Sequence, residues 1–140
     1  MGGNHTISKI LSANDTGETG GHQAGILVPK EEKILSYFPT LNTNDKNPRV
    51  HLVFTDDHGT KWEFAFIYYN NKFFGGTRNE FRLTRMTPFF RAHNLCQKDE
   101  LLLQKTPEGV RSVTYRRSKD TGLNENGVLK LSSGWKVINF

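Results

Sequence analysis

The sequence predicts a mainly β chain: about seven short, mostly antiparallel strands and one or two short helices, closed as a barrel or sandwich. Three observations predict it. Arg49 to Thr55 and Lys61 to Tyr69 alternate apolar and polar residues with the strand period of two. Turn signals recur at short spacing, in Asp56-Asp57-His58-Gly59, Asn70-Asn71 and Pro107-Glu108-Gly109. Stretches with helical periodicity are few and brief.

Taken in order, residues 1–10 read as a lead-in, with Ile7, Ile10 and Leu11 giving a weak helical face. Ser12 to Gln23 is rich in Gly, Thr, Asn and Asp and almost without apolar residues, which is a loop by composition. Ala24 to Val28 reads as a buried strand. Pro29 then opens a short helix over Lys30 to Phe38, since proline suits a first helical position and Glu31 and Glu32 suit the positive end of the helix dipole. Pro39 stops it, and Asn42 to Pro48 is a turn-rich connector. In the next two strands Val50, Leu52 and Phe54 share one side, and Trp62, Phe64, Phe66 and Tyr68 are in phase. A strand from Arg78 to Arg85 follows. Thr87-Pro88 opens a short helix to His93. Asp99 to Lys105, Val110 to Arg117 and the closing run Gly134 to Phe140 are the remaining strands, with a polar stretch at 118–127. No internal repeat or linker divides the chain, so one domain over residues 1–140 is expected.

The bulk numbers narrow the function classes. The 140 residues carry 19 Lys and Arg against 14 Asp and Glu, a net charge of +5. That balance suits a polyanionic partner. Its distribution is more telling: residues 72–91 hold Lys72, Arg78, Arg82, Arg85 and Arg91 against Glu80 alone. No apolar run has the length of a membrane span, and Met1 to His5 lacks the apolar core of a secretory signal. Cys96 is the single cysteine, so no internal disulfide forms, which fits a reducing compartment.

The stretch from Phe73 to Arg85 holds the most chemistry. On a strand, Arg78, Glu80, Arg82 and Thr84 share one face while Phe81 and Leu83 share the other. Two guanidiniums and a carboxylate on one rigid element are suited to base edges: Arg donates twice to guanine O6 and N7, and Glu accepts from cytosine N4. An exposed strand face with charges alternating for solubility fits the same pattern. The loop from Ser12 to Gln23 likewise reads either as a solvated turn or as a DNA-contacting segment, with glycines allowing close approach and Asn14, Thr16, His22 and Gln23 supplying polar groups. Lys30, at the helix start, is placed to touch a phosphate or to be simply solvated.

Three blocks carry a family resemblance: Leu11 to Gly25 with Val28-Pro29, Ala65 to Asn70, and Phe74 to Arg85. They closely resemble the N-terminal effector domain of EcoRII-type restriction endonucleases, over residues 11–91. The resemblance implies a DNA-binding pseudobarrel, shared with plant auxin-response-type transcription factors, that grips a duplex from the major-groove side with two arms. It implies a CC(A/T)GG-type near-palindromic target, one arm on each half. The loop ending at His22-Gln23 would be the first arm and Thr77 to Arg82 the second. His22, Arg78, Asn79, Glu80 and Arg82 match the base-reading motif, and Thr77, Arg85, Asn14, Thr16, Gln23 and Lys30 complete the expected contact set. The resemblance further implies a cofactor-free, non-catalytic, cytoplasmic domain, bacterial or phage- or plasmid-encoded and monomeric on DNA, with the nuclease domain of a type IIE restriction–modification enzyme elsewhere in the parent. The family pattern has a Lys where this chain has Gly76, so any contact made by that Lys is missing here.

Rival chemistries have weaker sequence support. A small self-sufficient nuclease would use Asp15 with Glu31-Glu32-Lys33, but Glu31 and Lys33 do not face each other on a helix. An oligonucleotide-binding barrel would stack single strands on Trp62, Phe64, Phe66 and Tyr68, although strict period two also describes one wall of a core. His5, His22, His51, His58 and His93 lack zinc-site spacing. Cys96 with His93 has no supporting acid or oxyanion turn, and reads as an inert core thiol.

Overall fold

The computed structural model describes residues 4–17, 25–118 and 134–139. Within them lie β1 (His5–Ile10), α1 (Ala13–Thr16), β2 (Ile26–Val28), α2 (Glu32–Leu35), β3 (Arg49–Thr55), β4 (Lys61–Tyr69), a 3₁₀ turn (Asn71–Phe74), β5 (Glu80–Thr84), α3 (Thr87–Ala92), β6 (Glu100–Lys105), β7 (Arg111–Arg116) and β8 (Trp135–Asn139). The strands form one sheet in the order β2-β5-β4-β3-β7-β6-β1-β8. All pairings are antiparallel except β3 with β7, which meet in parallel at Thr55 and Ser112.

The sheet curls until its outer strands approach. Trp135 on β8 is fully buried and donates its indole N–H to the Leu27 carbonyl on β2 at 3.0 Å. A side chain bridges the seam that a closed barrel would fill with a backbone ladder. The result is the pseudobarrel that the resemblance implies.

Period-two alternation builds the wall. Phe54 on β3 and Phe64 and Phe66 on β4 have no exposure, and Leu83, Leu101, Leu103 and Val113 line the other strands at no more than 1%. Phe38, Phe66, Phe81 and Tyr68 stack as nearly parallel rings: 4.5 Å from Phe38 to Phe66, 5.6 Å from Phe66 to Phe81 and 4.2 Å from Phe81 to Tyr68. α3 closes part of the core with Phe89 and Phe90, and Trp62 meets Phe89 edge-on at 5.3 Å. Truncating one of these rings to Ala costs about 3–5 kcal/mol. The aromatic run of β4 is therefore core, with Trp62 packed against it, and forms no stacking platform for single strands.

Four local expectations are corrected. The supposed lead-in contains β1, an interior strand between β6 and β8. Its burial hides behind polar letters: Ser8 donates to Glu100 at 2.8 Å, and Lys9 pairs with Asp15 at 2.9 Å. The loop from Ser12 opens with the single turn α1, held by a capping box in which the Ser12 hydroxyl accepts from the Asp15 amide and the Asp15 carboxylate accepts from the Ser12 amide. The helix expected over Lys30 to Phe38 is only α2; Tyr37 and Phe38 continue in tighter turns that swing both rings inward, and Pro29 lies before the Glu31 N-cap. Cys96 is exposed rather than a core thiol. The polar stretch at 118–127 lies outside the described residues, apart from Ser118.

Candidate nucleic-acid interface

β5 is anchored from within and charged without. Leu83 is fully buried and Phe81 is stacked on Tyr68, so Glu80, Arg82 and Thr84 project to the other face. There Arg82 lies opposite Ile67 on β4 and Leu27 on β2, and Glu80 lies opposite Tyr69. Arg78, just ahead of the strand, sets its guanidinium 3.8 Å from the Tyr69 ring centroid.

The charges are organised around Glu80. Arg78 Nη2 and Arg82 Nε each donate to the same oxygen, Oε2, at 2.7 Å. Burial alone would push the Glu80 carboxyl up; the hydrogen bonds and charges of Arg78 and Arg82 outweigh it and hold the carboxyl below its ordinary range. Each guanidinium keeps further N–H donors for a ligand, and Glu80 keeps Oε1 as an acceptor.

Asn79 is fixed as firmly. Its carbonyl accepts from Lys30 Nζ at 2.9 Å and from the Tyr68 hydroxyl at 2.7 Å. Its amide group is thereby turned to donate outward. Lys30 is brought into the second arm, where it supports Asn79.

The turn before β5 explains Gly76. The Asn71 carboxamide oxygen accepts from the Arg78 backbone N–H at 2.7 Å, and Lys72 N–H donates to the Arg78 carbonyl at 2.9 Å. A Cβ at Gly76 would sit 2.6 Å from that same Asn71 oxygen. A Lys there would displace the group that closes the turn, so glycine and Asn71 form one local solution. Thr77, Phe73 and Phe74 are exposed on this turn.

The first arm enters β2 at Gly25, where a Cβ would lie 2.9 Å from the Leu83 carbonyl. Because β2 and β5 are antiparallel, with Ile26 beside Leu83 and Val28 beside Phe81, the segments leading into them leave opposite ends of the ribbon. The two arm roots, near Thr84 and at Glu80, are separated by about 13 Å at a strand rise of ~3.3 Å per residue. Arg85, exposed and in a left-handed backbone conformation at φ 65°, stands at the first-arm end and not with Arg78.

Of the expected site residues, the structure brings Arg78, Asn79, Glu80, Arg82 and Lys30 together, leaves Thr77 exposed beside them, and sends Arg85 to the opposite root. Asn14 is exposed on α1, and Thr16 returns its hydroxyl hydrogen to the Ala13 carbonyl at 3.2 Å. His22 and Gln23 lie outside the described residues. Asp15, the candidate nuclease carboxylate, is buried and held by Lys9 and Ser12. Among the described residues no three His, Cys, Asp or Glu side chains gather as a metal site, and no helix is long and apolar enough to cross a membrane. Sequence reasoning missed the supporting tyrosines: Tyr68 beneath Asn79 and Tyr69 beneath Arg78. Their signal was present, since both end the strand that must pair with β5.

Fold and interface together define a pseudobarrel whose β2–β5 ribbon carries Arg78, Glu80 and Arg82 on its outer side. Residues 3–98 match the family described as restriction endonuclease EcoRII, N-terminal, and the chain belongs to that family. It is 49% identical over 82 residues to the type II restriction enzyme EcoRII of Escherichia coli, an alignment covering 55% of this chain and 20% of the enzyme. It is 30% identical over 129 residues to auxin response factor 3 of Oryza sativa subsp. japonica, covering 92% of this chain and 16% of the factor. The chain thus spans a fifth or less of these relatives. In fold it is similar to the protein of an Arabidopsis FUS3–DNA complex, at a TM-score of 0.61 and 17% identity, covering 79% of this chain and 95% of that one.

Proposed function

We propose that this chain is a single sequence-specific recognition unit for double-stranded DNA, without chemistry of its own, that serves a restriction endonuclease whose nuclease domain lies outside these residues. The target is a CC(A/T)GG-type site in the bacterial cytoplasm, bound by one copy of the domain.

The observation that carries this reading is the Arg78–Glu80–Arg82 triad, pre-set on a ribbon with an arm root at each end. The carboxylate fixes both guanidiniums before any ligand arrives, which lowers the ordering cost of binding. Arg78 and Arg82 then offer paired donors to guanine, Glu80 Oε1 an acceptor to cytosine N4, and Asn79 a donor to base acceptors. The root spacing of about 13 Å compares with roughly 14 Å for four base-pair steps at ~3.4 Å each, which suits one arm per half-site. The membership in the EcoRII N-terminal family supports the same target class.

The test is competitive gel shift of cognate against scrambled duplex. Arg78→Ala should lose about 1–3 kcal/mol of cognate preference, roughly five- to 150-fold, while scrambled binding changes little. Discrimination left intact in that variant removes Arg78 from base reading.

A further inference from the structure

A second basic cluster lies on the inner face of the sheet, on β1, β6 and β7 and away from the β2–β5 ribbon. His5 on β1 stands opposite Lys105 on β6, and Lys105 opposite Arg111 on β7. All three share the inward parity of Ile7, Leu103 and Val113, at the end of the barrel where those strands begin or finish. Tyr37, fully buried, forms the floor. Its ring meets His5 edge-on at 5.3 Å; Lys105 Nζ stands 5.2 Å from its centroid and donates to its backbone carbonyl at 2.8 Å.

This row is costly as it stands. Like charges placed directly opposite each other across strands destabilise a sheet. Among the described residues no salt bridge joins Lys105 or Arg111 to a carboxylate, and the Tyr37 hydroxyl and Arg111 Nε are buried with no hydrogen-bond partner. Buried polar groups are almost always satisfied, so two orphans in one cluster need an explanation. The local field agrees: burial and then Arg111 lower Lys105, and burial followed by Lys105 lowers His5 against a backbone bond from Lys33. Burial drives the Tyr37 hydroxyl up, so the phenol stays protonated and remains a donor.

We propose that the barrel mouth formed by Lys105, Arg111 and the Tyr37 hydroxyl, beside His5, is a binding site for a phosphate-type oxyanion. The row places an ammonium and a guanidinium on paired strands beside a buried phenol, and one tetrahedral anion among them would satisfy the Tyr37 hydroxyl and Arg111 Nε while neutralising the row. Lys105 and Arg111 are partly exposed, so the row reaches solvent, whereas Tyr37 is fully buried beneath it. The site uses none of the Arg78, Asn79, Glu80 and Arg82 groups and does not depend on the proposed base reading.

The experiment uses the full chain with inorganic phosphate against chloride at equal ionic strength, read by thermal melting and calorimetry. Phosphate should raise Tm saturably. Arg111→Gln should weaken that binding about tenfold, the equivalent of one charge-assisted hydrogen bond. Tyr37→Phe sharpens the test, because removing an unpartnered buried hydroxyl should leave or raise the Tm without phosphate while weakening phosphate binding severalfold. Equal Tm in phosphate and chloride, or an unchanged phosphate response in both variants, overturns the site. Competition at matched ionic strength separates the sources: displacement by a 5′-mononucleotide but not by duplex assigns a free phosphate, and displacement by duplex alone assigns a DNA backbone phosphate. Intact cognate discrimination in Arg111→Gln keeps this outcome separate from the arm reading.

Discussion

The molecule carries two cationic clusters built on opposite principles. On the β2–β5 ribbon, Arg78 and Arg82 share the Glu80 carboxylate, so the unliganded protein already balances part of its charge. At the barrel mouth, Lys105 and Arg111 face each other over a buried tyrosine, and no carboxylate among the described residues pairs with either. The first cluster is pre-organised and outward-facing, which suits a surface that must tell one ligand from many similar ones. The second stores repulsion and unsatisfied donors, which suits a site whose ligand supplies the missing charge. Net charge alone, +5 over the chain, conceals this difference.

The largest expected effect comes from removing the built-in counter-charge. Glu80→Gln keeps the shape of the side chain but frees two guanidiniums. Cognate preference should fall by about 1–3 kcal/mol, while the slope of log K against log salt steepens by roughly one, because one more cation is available to phosphates. Fluorescence anisotropy on cognate and scrambled duplexes across a salt series measures both. A slope that stays flat with specificity intact means that Glu80 neither orients nor neutralises its neighbours.

A smaller effect compares signs. Arg82→Gln removes one partner of a part-buried carboxylate and should destabilise the fold slightly. Arg111→Gln relieves a like-charge pair and should stabilise it by about 0.5 kcal/mol in chloride buffer. Urea denaturation of the two variants gives the comparison directly. Two destabilisations of equal size would erase the distinction between the clusters.

These contrasts also show what a one-dimensional reading can hold. The strands at 49–55 and 61–69 were legible because each buries one face, so polarity and position coincide. β1 was not, because its buried Ser8 and Lys9 find partners in Glu100 and Asp15, and satisfied polar residues look exposed in a sequence. The shared parity of Arg78, Glu80 and Arg82 was legible from period two. That both arginines converge on one carboxylate oxygen was not, nor that Lys30 supports Asn79, since that depends on how the chain leading out of β2 returns past the second arm. That Arg85 stands beside the chain entering β2 likewise requires knowing that β2 runs antiparallel to β5. The barrel-mouth row was beyond sequence reading, because His5, Lys105 and Arg111 meet only through two strand registers.

The smallest effect is in acid, where the two clusters should fail at different pH. The His5 pKa is lowered from 6.5, chiefly by burial and then by Lys105, so the unfolded chain takes up that proton first. Its contribution to stability is full above pH 6.5 and is lost as pH falls toward and through the lowered value. The Glu80 pKa is lowered from 4.5, burial opposing and the two arginines prevailing, so its contribution holds above pH 4.5 and is lost only below it. Melting temperature against pH should therefore decline in two stages, the mouth first and the ribbon second. His5→Gln should remove the first stage, and Glu80→Gln should shrink the second, which is shared by Asp56, whose carboxylate is held low by the Trp62 indole N–H, and by Asp99, where burial is outweighed by the Cys96 and Ser118 amides. Phosphate at constant ionic strength should soften the first stage alone, because an anion at the mouth favours the charged imidazole. A single transition below pH 4.5 that ignores both His5→Gln and phosphate would show that the two clusters do not differ in the way their geometry requires.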